Sequence, residues 1–591
     1  MGPLLIAVGA AVLFLVAYRT YGRWLGRRIF QLDDANVTPA CELQDGQDFV
    51  PSEKKIVFGH HFTSIAGTGP IVGPALAVIW GWVPALLWVI FGSIFIGAVH
   101  DFGALVLSLR SKGKTVGEIA GEVISPRARQ LFLVVLILAL TIVLAIFGLV
   151  IASVFRMFPQ AIFPCLVQIP LAIGIGLLLR SGKGGLLWPS LAVLGVMLGS
   201  IALEPAWIQS FNATLAQWPV LTWCAVLLAY CFVASVLPVW LLLQPRDYIN
   251  ALQLGLTLGL LVLGLVMAAL LPGEGKTLEV VAPAVRWSPE GAPMIFPFLF
   301  ITIACGAVSG FHCLVSSGTS SKQLAKESDA RMIGYGSMLT EGFLAVIVIL
   351  ACVAGLGLGI AGAEGLELSG VAAYSERYGS WASAGGLGAK VGAFVEGSAN
   401  FLEALGLPAA FSVSLMGVFV ASFAATTLDT ACRLQRYLLQ ELVRGSNPVS
   451  SLPRRVFSQK YVATGVAVVA AFLIARLPGG PNGQPGMGGT LLWPLFGAIN
   501  QLLAGLSFLV VILWLRHRNL PNWFAIPPGL LMLVLPAVAM TLNVLDFWES
   551  GRWFLVTLGV VTLVLEGYLV REAIRAWRKT DEVGKEFEHP A

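Results

Sequence analysis

Fifteen apolar runs of roughly membrane-spanning length follow one another along 591 residues, and nothing constrains the fold of this chain more than that succession. They lie near 3–18, 58–79, 83–109, 130–155, 160–179, 186–203, 219–243, 248–271, 294–317, 333–360, 408–430, 456–476, 490–515, 523–543 and 552–570. In lipid every peptide group must find its partner inside the protein, so only helices and closed barrels span, and runs of about 20 residues select helices. The expectation is an all-α polytopic membrane protein with about 15 spans. Residues are 57% hydrophobic and 12% charged, and the mean hydropathy is +0.84, which leaves no stretch for a soluble domain. A net charge of +5, dispersed over short loops, excludes a nucleic-acid surface. Among eight cysteines no pair has CxxC spacing, so reduced, packing thiols are expected. The first run lacks a positive n-region and a cleavage site and reads as a retained helix.

Basic residues set the orientation. Arg19, Arg23, Arg27, Arg28, Lys54 and Lys55 follow the first run, which only the terminal amine precedes. The N-terminus is therefore expected outside the cytoplasm. Counting spans onward, the turns bearing Arg110 to Arg129, Arg180 with Lys183, Arg246, Lys322 to Arg331, Arg433 to Arg455, and Arg516 with Arg518 all fall inside, as does the tail with Arg571, Arg575, Arg578 and Lys579. The opposite loops, 204–219, 272–292 and 361–390, are acidic or mixed, and 478–489 is uncharged.

Two of the runs break helical rules at mid-depth. In FGHHFTSIAGTGPIVGP (58–74) three glycines and two prolines fall within two turns, and in IACGAVSGFHCLVSSG (303–318) Gly306 and Gly310 interrupt a second span. Glycine costs about 1 kcal/mol and proline about 3 kcal/mol in a helix interior. Such breaks survive in lipid only where they line a cavity. Two broken helices far apart in sequence, running in opposite directions through the bilayer, are the pattern of a transporter built from inverted repeats. The segment 392–406 is too short and polar to span and reads as an outer hairpin or re-entrant lid.

The blocks HHFTSIAGTGPIVGP, GAVHDFGALVLSLRSKGKTVGE, LQPRDYIN, ACGAVSGFHCLVSSGTSSKQ, IGYGSMLTEG, GSANFLEALGLP, ASFAATTLDTACRLQRY and LWPLFGAINQLLA cover most of residues 59–504. In these the chain resembles the carbon starvation protein A family of bacterial inner-membrane transporters. The resemblance implies the five-plus-five inverted-repeat core of the amino acid–polyamine–organocation superfamily, with uptake of peptides or pyruvate into the cytoplasm. The chain then divides into an N-terminal peripheral helix and basic loop (1–56), a first repeat with an inserted helix pair (57–292), a second repeat with its outer lid (293–515), and two C-terminal peripheral helices with a cytoplasmic tail (516–591).

Candidate substrate groups are Ala66, Gly67, Thr68 and Gly69 at the first break and Ser309, Gly310, Phe311 and His312 at the second. Backbone N–H groups freed there suit a substrate carboxylate. Close helix packing by small residues, and a satisfied structural histidine, are the bland alternatives. Ion-coupling candidates are His100, Asp101, Glu341, Thr426, Thr427 and Asp429, because polar groups inside lipid are costly and rare. Asp429 either carries a proton or pairs with Arg433 one turn on. Adjacent residues on a helix point about 100° apart, so His100 and Asp101 are not expected to face one cavity together. Thr426 and Thr427 offer hard oxygen ligands for sodium. His60 and His61 read as a cap or gate at the inner end of the first broken helix.

No GxSxG, HExxH or Walker sequence is present, which weighs against an embedded enzyme and against a metal site, and no cofactor is expected beyond a coupling ion. A channel would favour rings of ligands over paired broken helices. The function expected is secondary active, alternating-access import of a peptide or small carboxylate, proton-coupled, with sodium coupling as the alternative. Its partners are the small-molecule substrate and the bilayer, not nucleic acid.

Overall fold

The computed structural model describes residues 2–182, 185–271, 273, 276–362, 366–444, 452–479 and 483–588. Lys183 and Pro272, both used in reading the loops, lie outside the described residues, as does the side chain of Arg454. All fifteen apolar runs are helical. Ten of the described helices are long and apolar enough to cross a membrane, and two bent pairs raise the number to twelve. The other three runs form Val220–Val236, Lys460–Arg476, and the interrupted pair Ile295–Thr302 and Gly310–Gly318. Val220–Val236 stops short of the expected 243 because Leu237, which precedes Pro238, takes an extended conformation (φ −72°, ψ 152°).

The first broken helix consists of Lys54–Ile65 and Gly69–Trp80, bent by 44° at the Ala66–Thr68 joint. The second breaks between Thr302 and Gly310, where Gly306 has φ +87°, a left-handed conformation that suits glycine. The opening half of the first touches the closing half of the second, Gly310–Gly318, while Gly69–Ala77 touches Ile295–Thr302. The two therefore lie antiparallel, as an inverted repeat requires. Around them Pro126–Met157 packs along Ala409–Arg444, and Val220–Val236 packs on Lys460–Arg476. Pro159–Arg180 and Leu187–Leu203 sit outside, against Leu243–Leu270 and each other.

The expected lid at 392–406 is a longer helix, Leu387–Glu403, preceded by the short helices Gly370–Tyr378 and Trp381–Ala384. One face of it is buried against Ala409–Arg444, Leu243–Leu270 and Gly69–Ala77. On the opposite face of the bundle, the segment after the N-terminal helix crosses as a strap. Val50 N–H donates to Lys322 O (3.1 Å), Ser52 N–H to Gln323 O (2.9 Å), and Asp48 pairs with Arg433 (2.7 Å) and Arg436 (3.1 Å).

Candidate functional site

A cavity of about 1150 Å³ opens toward the lid side of the molecule. Its inner wall comes from both breaks: Thr68, Gly69, Val72 and Gly73 from the first, and Ile301, Thr302, Ala304 and Cys305 from the second. Trp381, Lys390 and Trp493 line its outer part together with Arg156, at the end of Pro126–Met157, and Asp546. Of the substrate residues expected from sequence, Thr68 and Gly69 line this space. Ala66 and Gly67 are buried beneath it. A Cβ on Gly67 would stand 2.3 Å from Thr427 Oγ1 and 2.7 Å from the Phe147 ring, so its lack of a side chain permits the contact between the first broken helix and Ala409–Arg444.

Ser309, Gly310, Phe311 and His312 fall beyond the cavity wall, and here the structure corrects the expectation. Asn500 holds the turn: its side-chain oxygen accepts from Phe311 N–H (2.9 Å), and its amide donates to Ser309 Oγ (3.0 Å). The second break reaches the cavity one turn earlier, through Cys305.

Directly behind Cys305 lies a fully buried cluster. His100 Nδ1 and His312 Nδ1 bond the two oxygens of Asp101 at 2.8 and 2.9 Å, and His312 Nε2 faces Glu341 Oε2 at 3.4 Å. Glu341 Oε1 accepts from Gly306 N–H (2.9 Å), at the break itself. His100 and Asp101, adjacent on one helix, bond each other directly, and neither lines the cavity. Asp101 accepts on both oxygens, which places protons on both Nδ1 atoms and leaves His312 Nε2 as the atom facing Glu341. Among the described residues neither His312 Nε2 nor Glu341 Oε2 makes a hydrogen bond beyond this 3.4 Å approach. Donor atoms of Cys305, His312 and Glu341 lie within 4.8 Å of one another, compact enough that a metal ion could be tested there.

The other coupling candidates belong to a second network nearer the strap. Asp429 does not pair with Arg433; both of its oxygens meet Arg246, and Tyr230 OH donates to it at 2.7 Å. Arg246 also pairs with Asp247 (2.5 Å), whose other oxygen meets His60 Nδ1 (2.6 Å). Arg433 instead pairs with Asp48 and donates to the Ala234 carbonyl (2.8 Å). Thr426 Oγ1 accepts from Asn250 (2.6 Å) and donates to Ser422 O (2.9 Å), while Thr427 donates to Ser64 O (3.0 Å). His61 Nδ1 bonds Ser320 Oγ (2.8 Å). Counting Arg246 and Arg433 as loop charges is thus corrected, since both are buried and paired. Arg246, Asp247, Asn500, Cys305 and Lys390 were not singled out as site residues from sequence. Arg246 beside Asp247 at the start of an apolar run was the available signal, because two adjacent charges there need partners.

The carbon starvation protein CstA family model matches residues 2–541. A peptide transporter CstA from Escherichia coli K12 is 35% identical over 578 residues, covering 90% of this chain and 80% of the relative. One from Mycobacterium tuberculosis H37Rv is 33% identical, covering 91% and 74%. The pyruvate/proton symporter BtsT of E. coli K12 is 32% identical, covering 92% and 82%. Among solved structures, MhsT in complex with L-phenylalanine aligns at 12% identity and a TM-score of 0.47, covering 88% of this chain and 98% of MhsT.

Proposed function

Because the chain belongs to the carbon starvation protein CstA family and is a transporter rather than an enzyme, we propose that it imports a peptide or a small carboxylate such as pyruvate by alternating access, with a proton as the coupling ion. One observation carries the proposal: Cys305, in the wall of the cavity, stands against His312 and Glu341 of the buried Asp101–His312–Glu341 chain, and the next residue, Gly306, is bonded to Glu341. A group that gains or loses a proton there sits one residue from the substrate space and is bonded to the hinge of the second broken helix. Intramembrane ionisable clusters of this kind serve as proton relays. Cys305 stands between the cluster and the cavity.

In this reading the closed strap face is cytoplasmic and the open lid side is external, with the N-terminus outside and the C-terminus inside. The strap contacts at Asp48, Val50 and Ser52 then release when the inner face opens. Sodium is the runner-up. Against it, the Ser64 carbonyl already accepts the Thr427 hydroxyl proton, so one of the oxygens a sodium ion would take is engaged without one.

The test is uptake of labelled pyruvate and alanyl-alanine into proteoliposomes under an imposed pH gradient, with sodium present or absent. Accumulation that follows the pH gradient and ignores sodium supports the proposal; accumulation that requires sodium and ignores pH refutes proton coupling.

A further inference from the structure

Lys390 is a buried cation that no carboxylate among the described residues contacts. It sits on the lid helix, 5% exposed, with its Nζ 4.8 Å from the centre of the Trp493 ring, and both residues line the cavity. No hydrogen bond or ion pair to a carboxylate is formed by Lys390 among the described residues. Its surroundings explain why. The parts of Gly69–Ala77, Leu243–Leu270 and Ala409–Arg444 that the lid packs against are uncharged. On the lid itself Glu396 is taken by Arg377 (2.8 Å), and Glu403 lies at the far end. Cys352 is a buried thiol of Glu327–Leu358. Across the cavity stand Arg156 and Asp546, and Glu290 is exposed at the rim.

Burying an ammonium without a partner is costly, and natural proteins retain such a group where a ligand supplies the missing charge. Trp493 holds the ammonium over its ring face, an interaction that stabilises the cation while leaving its N–H groups free to donate. The lid is not among the helices long and apolar enough to span, so the charge is carried by a non-spanning helix at the outer part of the cavity.

Resting on the transport reading above, we propose that Lys390 receives the carboxylate of the transported molecule, so that seating the substrate draws the lid helix onto the cavity. Peptide C-termini and pyruvate both present that group. Lys390 is then a specificity-determining residue for acids over their amides. Burial pushes its ammonium down to about 8, so the receptor is cationic at neutral pH and loses its charge as the external medium becomes alkaline.

The test uses purified protein in liposomes, with uptake of alanyl-alanine, alanyl-alanine amide and pyruvate measured for wild type, Lys390→Gln and Lys390→Arg. A charge-assisted hydrogen bond lost from binding raises the half-saturating concentration by about 10- to 100-fold. The expected result is a rise of that size in Lys390→Gln for both acids, with near-equal uptake of acid and amide. Lys390→Arg restores the preference for acids. In wild type the half-saturating concentration of the acids climbs as external pH passes about 8, and in Lys390→Arg that climb is absent up to pH about 10, because guanidinium stays charged. Lys390→Gln protein that prefers acids as wild type does, or an unchanged pH profile in Lys390→Arg, overturns the inference while leaving transport intact. Wild-type protein that moves neither acid overturns the transport reading and this inference with it.

Discussion

Replacing Glu341 by Gln separates coupling from transport. Glu341 makes two contacts of different kinds: Oε1 accepts from Gly306 N–H at 2.9 Å, and Oε2 faces His312 Nε2 at 3.4 Å. Glutamine keeps an oxygen for Gly306 and loses only the titratable group. Under the proposed proton coupling the titrating group is the Glu341 carboxyl that faces His312 Nε2, which gives one proton per cycle. One proton moved down one pH unit supplies about 1.4 kcal/mol, which sets a ceiling of about tenfold accumulation for an electroneutral symport of an anion. In proteoliposomes with a one-unit gradient and the membrane potential clamped, wild type is expected to approach that ratio. Glu341→Gln should stay near onefold while still exchanging labelled for unlabelled substrate. Glu341→Ala also strands the buried Gly306 N–H, a penalty of about 1–3 kcal/mol, and should lose most of the exchange as well. Gradient-driven accumulation of tenfold in Glu341→Gln would refute the one-proton cluster.

Gly67→Ala places a Cβ 2.3 Å from Thr427 Oγ1; overpacking there should destabilise the protein by about 1–3 kcal/mol and lower its detergent melting temperature. Arg246→Met leaves Asp247 and Asp429 facing each other without their cation, at a cost of about 3–5 kcal/mol, so the folded yield should collapse in size-exclusion profiles, whereas Gly67→Ala protein remains recoverable. At the strap, burial opposes ionisation of Asp48, but Arg433, Arg436 and Lys322 together outweigh it and hold its carboxyl below the usual range. Its contribution is therefore complete above the ordinary carboxylate pKa and is lost only as pH falls below that range. Melting curves should show Asp48→Asn less stable than wild type by a constant margin between pH 5 and pH 8, and a margin that changes within that window would contradict the assignment.

Periodicity and breakers made much of the architecture legible. Apolar length marked every helix of membrane-spanning length, and the Gly-Pro cluster at 67–74 located the first hinge to within a residue or two, because both signals are local. The second hinge was legible as a place but not as a side. Four candidates at Ser309–His312 and the neighbouring Cys305 fall within three turns, and which of them meets the cavity depends on Asn500, some 190 residues away, pinning the Ser309–Phe311 turn. Partner choice was equally non-local. Asp429 sits one turn from Arg433, yet Arg433 reaches across to Asp48 and Asp429 to Arg246, since a buried arginine fork is better satisfied by a facing helix than by its own. Lys390 gave no sequence signal because a lysine in a polar helix is ordinarily solvated.

In the proposed coupled cycle the two polar networks divide the work. Nearer the strap, Arg246 binds two carboxylates and Asp247 also meets His60, tying Lys54–Ile65 to Leu243–Leu270 through charges that stay satisfied in the closed state. Its Arg246 core has no group left facing empty space. At the second break the cluster is less complete: His312 Nε2 and Glu341 Oε2 face each other at 3.4 Å, longer than the other contacts of the cluster, and Gly306 hangs from the same carboxylate. A proton that shifts charge between those two atoms changes the strength of the Gly306 bond, because an ionised acceptor binds an N–H roughly twice as strongly as a neutral one. That bond anchors the hinge between Ile295–Thr302, which lines the cavity, and Gly310–Gly318, which packs against Lys54–Ile65 beneath it. In the proposed proton-coupled cycle, protonation at Glu341 would loosen the joint that separates the open side from the closed one, so that the coupling ion and the moving element meet at a single backbone amide.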